Sequence, residues 1–210
     1  MPAEPAASKV AAAAQYPKRE QRKQASRAAL IDAAIELFGS NGFEETKLED
    51  VADRAGLHVQ TLYRHFANKR DLVTAVDQHY LQLFQQACAN RKSDTLQFWR
   101  SWQKRSTRSM VAAGPRYKKT VSDLYAIPNF PTPYLRIWHE YEQTLSQGIA
   151  EDLGDAFADQ RLPILIACQL WGGSTHVFRE WMKNGGSTDL EAETLAMIDR
   201  VIEQYQHLFE

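Results

Sequence analysis

Two short helix-forming segments, Leu48 to Ala55 and Val59 to Phe66, are separated by only Gly56-Leu57-His58. Three residues cannot make a long crossover, so the segments must fold back on each other as a helix-turn-helix. Ala52 and Ala55 are small enough to let the helices approach closely, and Val51, Leu57, Leu62 and Phe66 supply apolar contacts between them. Gly56 stands where the chain leaves the first helix, and glycine adopts a left-handed conformation there at little cost. Thr46 followed by Glu49 predicts a capping box at the first helix. The second helix then turns Gln60, Thr61, Tyr63, Arg64 and His65 outward. Such hydrogen-bonding side chains suit a helix lying in a major groove. They equally suit an ordinary helical hairpin with a polar exposed face.

The rest of the chain has helical periodicity and no strand pattern. Arg22 to Ser40 carries Leu30, Ile31, Ala34, Ile35, Leu37 and Phe38 and is stopped by Asn41-Gly42. Further helices are predicted over Lys69 to Asn90, Asp94 to Ala113, Tyr117 to Leu124, Tyr134 to Leu153, Leu162 to Met182 and Asp189 to Phe209. The proline-rich run from Ile127 to Pro133 is incompatible with regular helix. The fold class is therefore all-α. We expect a disordered leader over residues 1–17, a three-helix DNA-binding unit over 18–70 and a larger helical domain over 71–210.

A net charge of −1 hides a local asymmetry. Lys18, Arg19, Arg22, Lys23 and Arg27 face a single acid, Glu20, between Pro17 and Leu30. Such an arm neutralises phosphates, although a solvated flank has the same composition. Cys88 and Cys168 lie in separate apolar helices, which argues against a disulfide scaffold or zinc site and fits a reducing cytoplasm. No apolar run is long enough to cross a membrane. HExxH, Glu-x-x-His, nucleophile-elbow and glycine-rich phosphate motifs are all missing, so no enzyme, metal or cofactor is expected.

One set of residues is more specific than its parts: Gly42-Phe43, Thr46, Val51-Ala52, Ala55-Gly56-Leu57, Thr61-Leu62-Tyr63, His65-Phe66, Asn68-Lys69 and Leu72. Over about fifty residues the chain resembles the TetR family of transcriptional regulators. The resemblance implies that Tyr63, His65 and Lys69 touch phosphates, that Val59, Gln60 and Tyr63 face base edges, and that Thr46 and Lys47 lie near the DNA backbone. His58, at the start of the recognition helix, and Lys47 both stand where the family usually has Ser or Thr. With Thr61 and Arg64 these complete the expected DNA-binding set.

For the larger domain the resemblance implies a ligand cavity and a homodimer built on the last two helices. The apolar content of those helices exceeds one buried face, and Leu165, Cys168, Ile198, Ile202 and Tyr205 are the expected interface. Aromatic residues concentrate in the middle of the chain, and Phe98, Trp99, Trp102, Met110, Tyr125, Trp138, Tyr141, Trp171 and Phe178 are the expected pocket. An aromatic stripe is also what a plain core looks like. Arg100, Arg105, Arg108, Arg116, Lys118 and Lys119 suggest an anionic, acyl-CoA-like headgroup near its mouth. The expected function is a cytoplasmic repressor that holds palindromic operator DNA as a dimer and releases it when a small hydrophobic effector binds. An activator role stays open.

Overall fold

A computed structural model describes residues 7–114, 132–154, 159 and 161–209. Its helices are α1 (Ala7–Asn41), α2 (Leu48–Arg54), α3 (Val59–His65), α4 (Lys69–Ala89), α5 (Thr95–Ala112), α6 (Thr132–Leu153), α7 (Leu162–Lys183) and α8 (Leu190–Tyr205), followed by a single 3-10 turn at Gln206–Leu208. The protein is all-helical, with an N-terminal helix-turn-helix and a C-terminal helical domain. Two expectations change. Helix α1 begins at Ala7, inside the expected disordered leader, where the Ala11–Ala14 run favours helix. Pro133 falls in the first turn of α6 rather than before it, a position where no intrahelical amide bond is lost. The helix expected over Tyr117 to Leu124 lies outside the described residues.

Two cores organise the chain, and α4 belongs to both. In the first, Leu30, Ile31, Ala34 and Phe38 of α1 meet Val51 and Ala52 of α2, Leu62 of α3, and Leu72, Val73 and Val76 of α4. In the second, Leu81, Phe84 and Cys88 of the same α4 meet Leu96 and Trp99, Leu145 and Ile149, Ile166 and Leu170, and Ile198 and Ile202. The apolar stripe of α4 thus passes from one unit to the other between Val76 and Leu81. A rigid helix shared by two cores transmits the displacement of either one.

Local chemistry fixes the helix ends. Asn68, Asp94 and Asp189 cap α4, α5 and α8 by accepting from Asp71, Gln97 and Ala192 amides at 3.0, 2.9 and 3.0 Å. Helix α2 is capped one residue later than expected: the Lys47 amide donates to Asp50 at 3.2 Å, displacing the Thr46–Glu49 box. Gly56 adopts φ 67°, the left-handed geometry that its position between α2 and α3 demands. Arg91 closes the far end of the second core. It donates to Asp152 at 2.8 Å, to Glu151 at 3.1 Å and to the Gly148 carbonyl at 3.0 Å. Asp152 in turn accepts from the Thr95 amide at 2.6 Å and pins the start of α5.

The last two helices correct the expected interface. Ile198, Ile202 and Tyr205 are buried in the protomer's own core, because the apolar stripe of α8 is used up against α5 and α7. They support the outer face from behind. Leu165 and Cys168 do lie outside, with Leu165 half exposed, and the sequence reading missed Met197 beside them. Met197 fits against Gly173, where an added Cβ would come within 2.7 Å of its Cγ.

Candidate functional site

Helix α3 is seven residues long and is held by one apolar anchor. Leu62 is fully buried, and Phe66 after the helix is buried too. Anchoring on that side leaves Gln60, Tyr63 and Arg64 exposed on the other, with Val59, Thr61 and His65 half buried at the margins. Tyr63 is 50% exposed, far more than an aromatic of a folding core. Arg64 donates to Thr61 at 3.0 Å along the same face. His58 occupies the N-cap position in extended geometry, yet its side chain makes no capping bond. The start of α3 therefore keeps free amides, the group that helix N-termini present to anions.

Positive charge gathers around this face. Burial, and then the charges of Arg27, Lys23 and Arg64, push the His65 imidazole below its ordinary titration range. Arg27 also stands over the Phe66 ring at 5.4 Å. The basic stretch of α1 is thus packed beside α3, and Lys47 is exposed nearby in sequence at the start of α2. The packing of two helices thereby places a local basic patch on a chain whose overall charge is near zero.

Two expected contacts are re-assigned. Thr46 is fully buried, and its hydroxyl donates to Gly42 at 2.7 Å and Leu37 at 3.2 Å. It shapes the turn between α1 and α2 and offers nothing to a duplex. Lys69 directs its ammonium inward to three carbonyls, those of Phe43, Thr46 and Glu44, at 2.5, 2.9 and 3.1 Å. It also lies 4.4 Å from the centre of the Phe43 ring. All three donors of the ammonium are engaged, so Lys69 fastens α4 to the turn that positions α2.

The second site is a cavity of about 290 Å³. Seven expected residues line it: Trp99, Trp102, Met110, Trp138, Tyr141, Trp171 and Phe178. Tyr141 and Trp171 stack within the wall at 4.4 Å and 12°. Phe98 is the exception, because it is buried behind the wall against Phe84 and Trp102. Tyr125 lies outside the described residues, as do Arg116, Lys118 and Lys119. The expected headgroup cluster is not assembled by the others. Arg100 and Arg108 pair with Asp199 and Glu191, both at 2.6 Å, and Arg105 is exposed above the outer ring of Trp102.

The sequence reading missed the near wall. Ile35, Phe38 and Gly39 of α1, with Val73, Val76, Asp77 and Tyr80 of α4, line the same cavity. Their apolar members lie on the periodic stripes of those helices, which had been read entirely as core of the small unit. The cavity consequently touches the unit that carries α3.

Comparison with known proteins follows this geometry. Residues 30–76 match the family model described as bacterial regulatory proteins, tetR family. The regulator TcmR of Streptomyces glaucescens is 28% identical over 85% of this chain and 82% of its own. Other curated relatives align over 19% to 31% of this chain. Among solved structures, FadR of Bacillus subtilis in complex with stearoyl-CoA superposes with a TM-score of 0.58 at 18% identity, covering 83% of this chain and 97% of its own. SmeT, the repressor of a Stenotrophomonas maltophilia multidrug efflux pump, gives 0.59 at 23%, covering 87% and 91%. No helix among the described residues is long and apolar enough to cross a membrane, and none of their side chains cluster as a metal site. With its buried Leu62 anchor, polar α3 face and matched N-terminal segment, the chain belongs to the TetR family of bacterial transcriptional regulators.

Proposed function

We propose that the protein is a repressor that binds a palindromic operator as a homodimer, through the outward face of α3, and lets go when a small molecule enters the cavity. The observation that carries this reading is the shared wall. One cavity is bounded by α1 and α4, which hold α3, and by α5 and α7 of the larger domain. A ligand that prefers one spacing of these helices must shift the spacing of the DNA-reading unit, and by linkage must alter DNA affinity. FadR bound to stearoyl-CoA and SmeT bound to triclosan show that proteins of this fold take up apolar molecules of quite different shape. The exposed strip of Leu165, Cys168 and Met197 supplies the homodimer face. A dimer matches paired half-sites about 34–36 Å apart.

Gln60, Tyr63 and Arg64 are the residues expected to meet the duplex, with Val59, Thr61, His58 and Lys47 at the edges. Tyr63→Ala and Gln60→Ala should each weaken operator binding by about tenfold or more, a contact being worth roughly 1–3 kcal/mol. Both side chains are exposed, so thermal stability and the dimer should be unchanged. Gel-shift titration beside a melting curve checks this, and full affinity in both variants would remove α3 as the reading helix.

His65 adds a pH dependence. Its imidazole is pushed below the ordinary range near 6.5 in the free protein. An adjacent phosphate favours the charged form, so binding takes up a proton and operator affinity should rise as pH falls through about 6. Fold stability moves the opposite way. A depressed folded pKa means the unfolded chain holds the proton more readily, so this group's contribution is lost as pH falls below about 6.5. His65→Gln should flatten both profiles, read by anisotropy and thermal melts between pH 5.5 and 8.

A further inference from the structure

Resting on the reading of the cavity as an effector site, we propose that its ligand is a flat aromatic molecule of two or three fused rings that carries a hydrogen-bond-accepting oxygen and no negative charge. Size sets the first limit. The volume of about 290 Å³ is roughly twice the ~150 Å³ that takes up a single benzene, and well short of a long-chain thioester with its nucleotide. The walls set the shape. Tyr141 and Trp171 present an existing parallel stack, and Trp99, Trp102 and Trp138 add further ring faces, so a planar guest extends a stack already formed.

Charge sets the third limit. Among the described residues lining the cavity, Asp77 is the single charged group, and none is Lys, Arg or His. Arg100 and Arg108, on the helix that carries Trp99 and Trp102, are committed to Asp199 and Glu191. A carboxylate or phosphate guest would lose its water beside Asp77 with no cation to replace it, a penalty that dispersion against tryptophan does not offset.

Two donors specify the oxygen. Trp99 Nε1 and Thr194 Oγ1 are buried, belong to residues of the cavity wall and hydrogen-bond to no protein group. Buried donors in folded proteins are nearly always partnered, and unpartnered ones lower stability. An acceptor seated against that wall, with a small turn of the Thr194 hydroxyl, satisfies both. Among wall residues these two have no other use in the fold, whereas Ser174 and Thr107 already donate to Leu170 and Gln103 carbonyls at 2.8 and 2.9 Å.

The test uses the full-length protein and four probes: 9-fluorenone, fluorene, 9-fluorenone-2-carboxylate and stearoyl-CoA. Isothermal titration measures binding, and a gel shift with the operator measures release. Fluorenone should bind at least about tenfold more tightly than either fluorene, which lacks the acceptor, or the carboxylate. The double variant Trp99→Phe, Thr194→Val should erase the preference for fluorenone while binding fluorene as before. Should that variant melt early, the wild-type ranking decides alone. Equal binding of fluorene and fluorenone, preference for the carboxylate, binding of stearoyl-CoA alone, or binding of none would each overturn the assignment. Release of the operator by stearoyl-CoA would do so while leaving the effector reading intact. Fluorenone bound in the expected order without operator release would uphold the ligand class and remove the effector reading instead.

Discussion

Replacing Lys69 by Met should lower the stability of the DNA-binding unit by about 2–3 kcal/mol and abolish operator binding together with it. Three charge-assisted hydrogen bonds to the carbonyls of Phe43, Glu44 and Thr46 end on this one ammonium. Bonds from a charged donor are worth more than neutral ones, and removing the donor leaves several acceptors without it. The methionine keeps much of the apolar stem over Phe43, so the loss reports the ammonium and not the packing. The contrast with Tyr63→Ala is the informative part. A residue that only touches phosphate changes affinity at constant melting temperature, whereas Lys69→Met changes both. Chemical denaturation with a gel shift at a temperature where the variant is folded separates the two. An unaltered melting curve with weakened DNA binding would return Lys69 to the role of a phosphate contact.

Phe84→Ala should cost about 3–5 kcal/mol, the range for truncating a buried ring whose space cannot fully close. Phe84 is fully buried on α4, and its ring meets Phe98 at 5.9 Å, Trp99 at 5.6 Å, Trp102 at 5.3 Å and Tyr141 at 4.9 Å. Three of those four partners also line the effector cavity, apart from Phe98. The truncation therefore opens a hole behind the cavity wall as well as weakening the core. Ligand affinity should fall in step with stability, while an exposed aromatic such as Tyr80, 45% exposed, should tolerate the same change with little loss of stability. Denaturant titrations of the two variants make the comparison. Equal small losses would mean that α4 is not the spine of the second core.

Much of this organisation was legible in the chain because short-range physics decides it. Gly56 at φ 67° and the small Ala52 are required by any three-residue turn between helices, and the outward face of α3 follows once Leu62 and Phe66 are buried. Seven aromatic or apolar residues of the cavity were found from clustering alone. The failures share a cause. Thr46, Lys69, Ile198, Ile202 and Tyr205 were given outward roles, but each turns inward because of partners distant in sequence. A lysine's three carbonyl acceptors, 23 to 26 residues away, leave no periodic trace. Gly39 and Ile35 on the cavity wall were invisible for the same reason: their stripe reads as core until the second domain is placed against it.

The central claim is that α3 reads a duplex in matched pairs. A hydroxyl-radical footprint and a salt titration on the DNA upstream of the protein's own gene test it most directly. Two protected half-sites related by a dyad, with centres about one helical turn or a whole multiple of it apart, and an affinity falling linearly in log[salt], are the predicted result. Protection of a single unpaired site, or an affinity indifferent to salt, would contradict it.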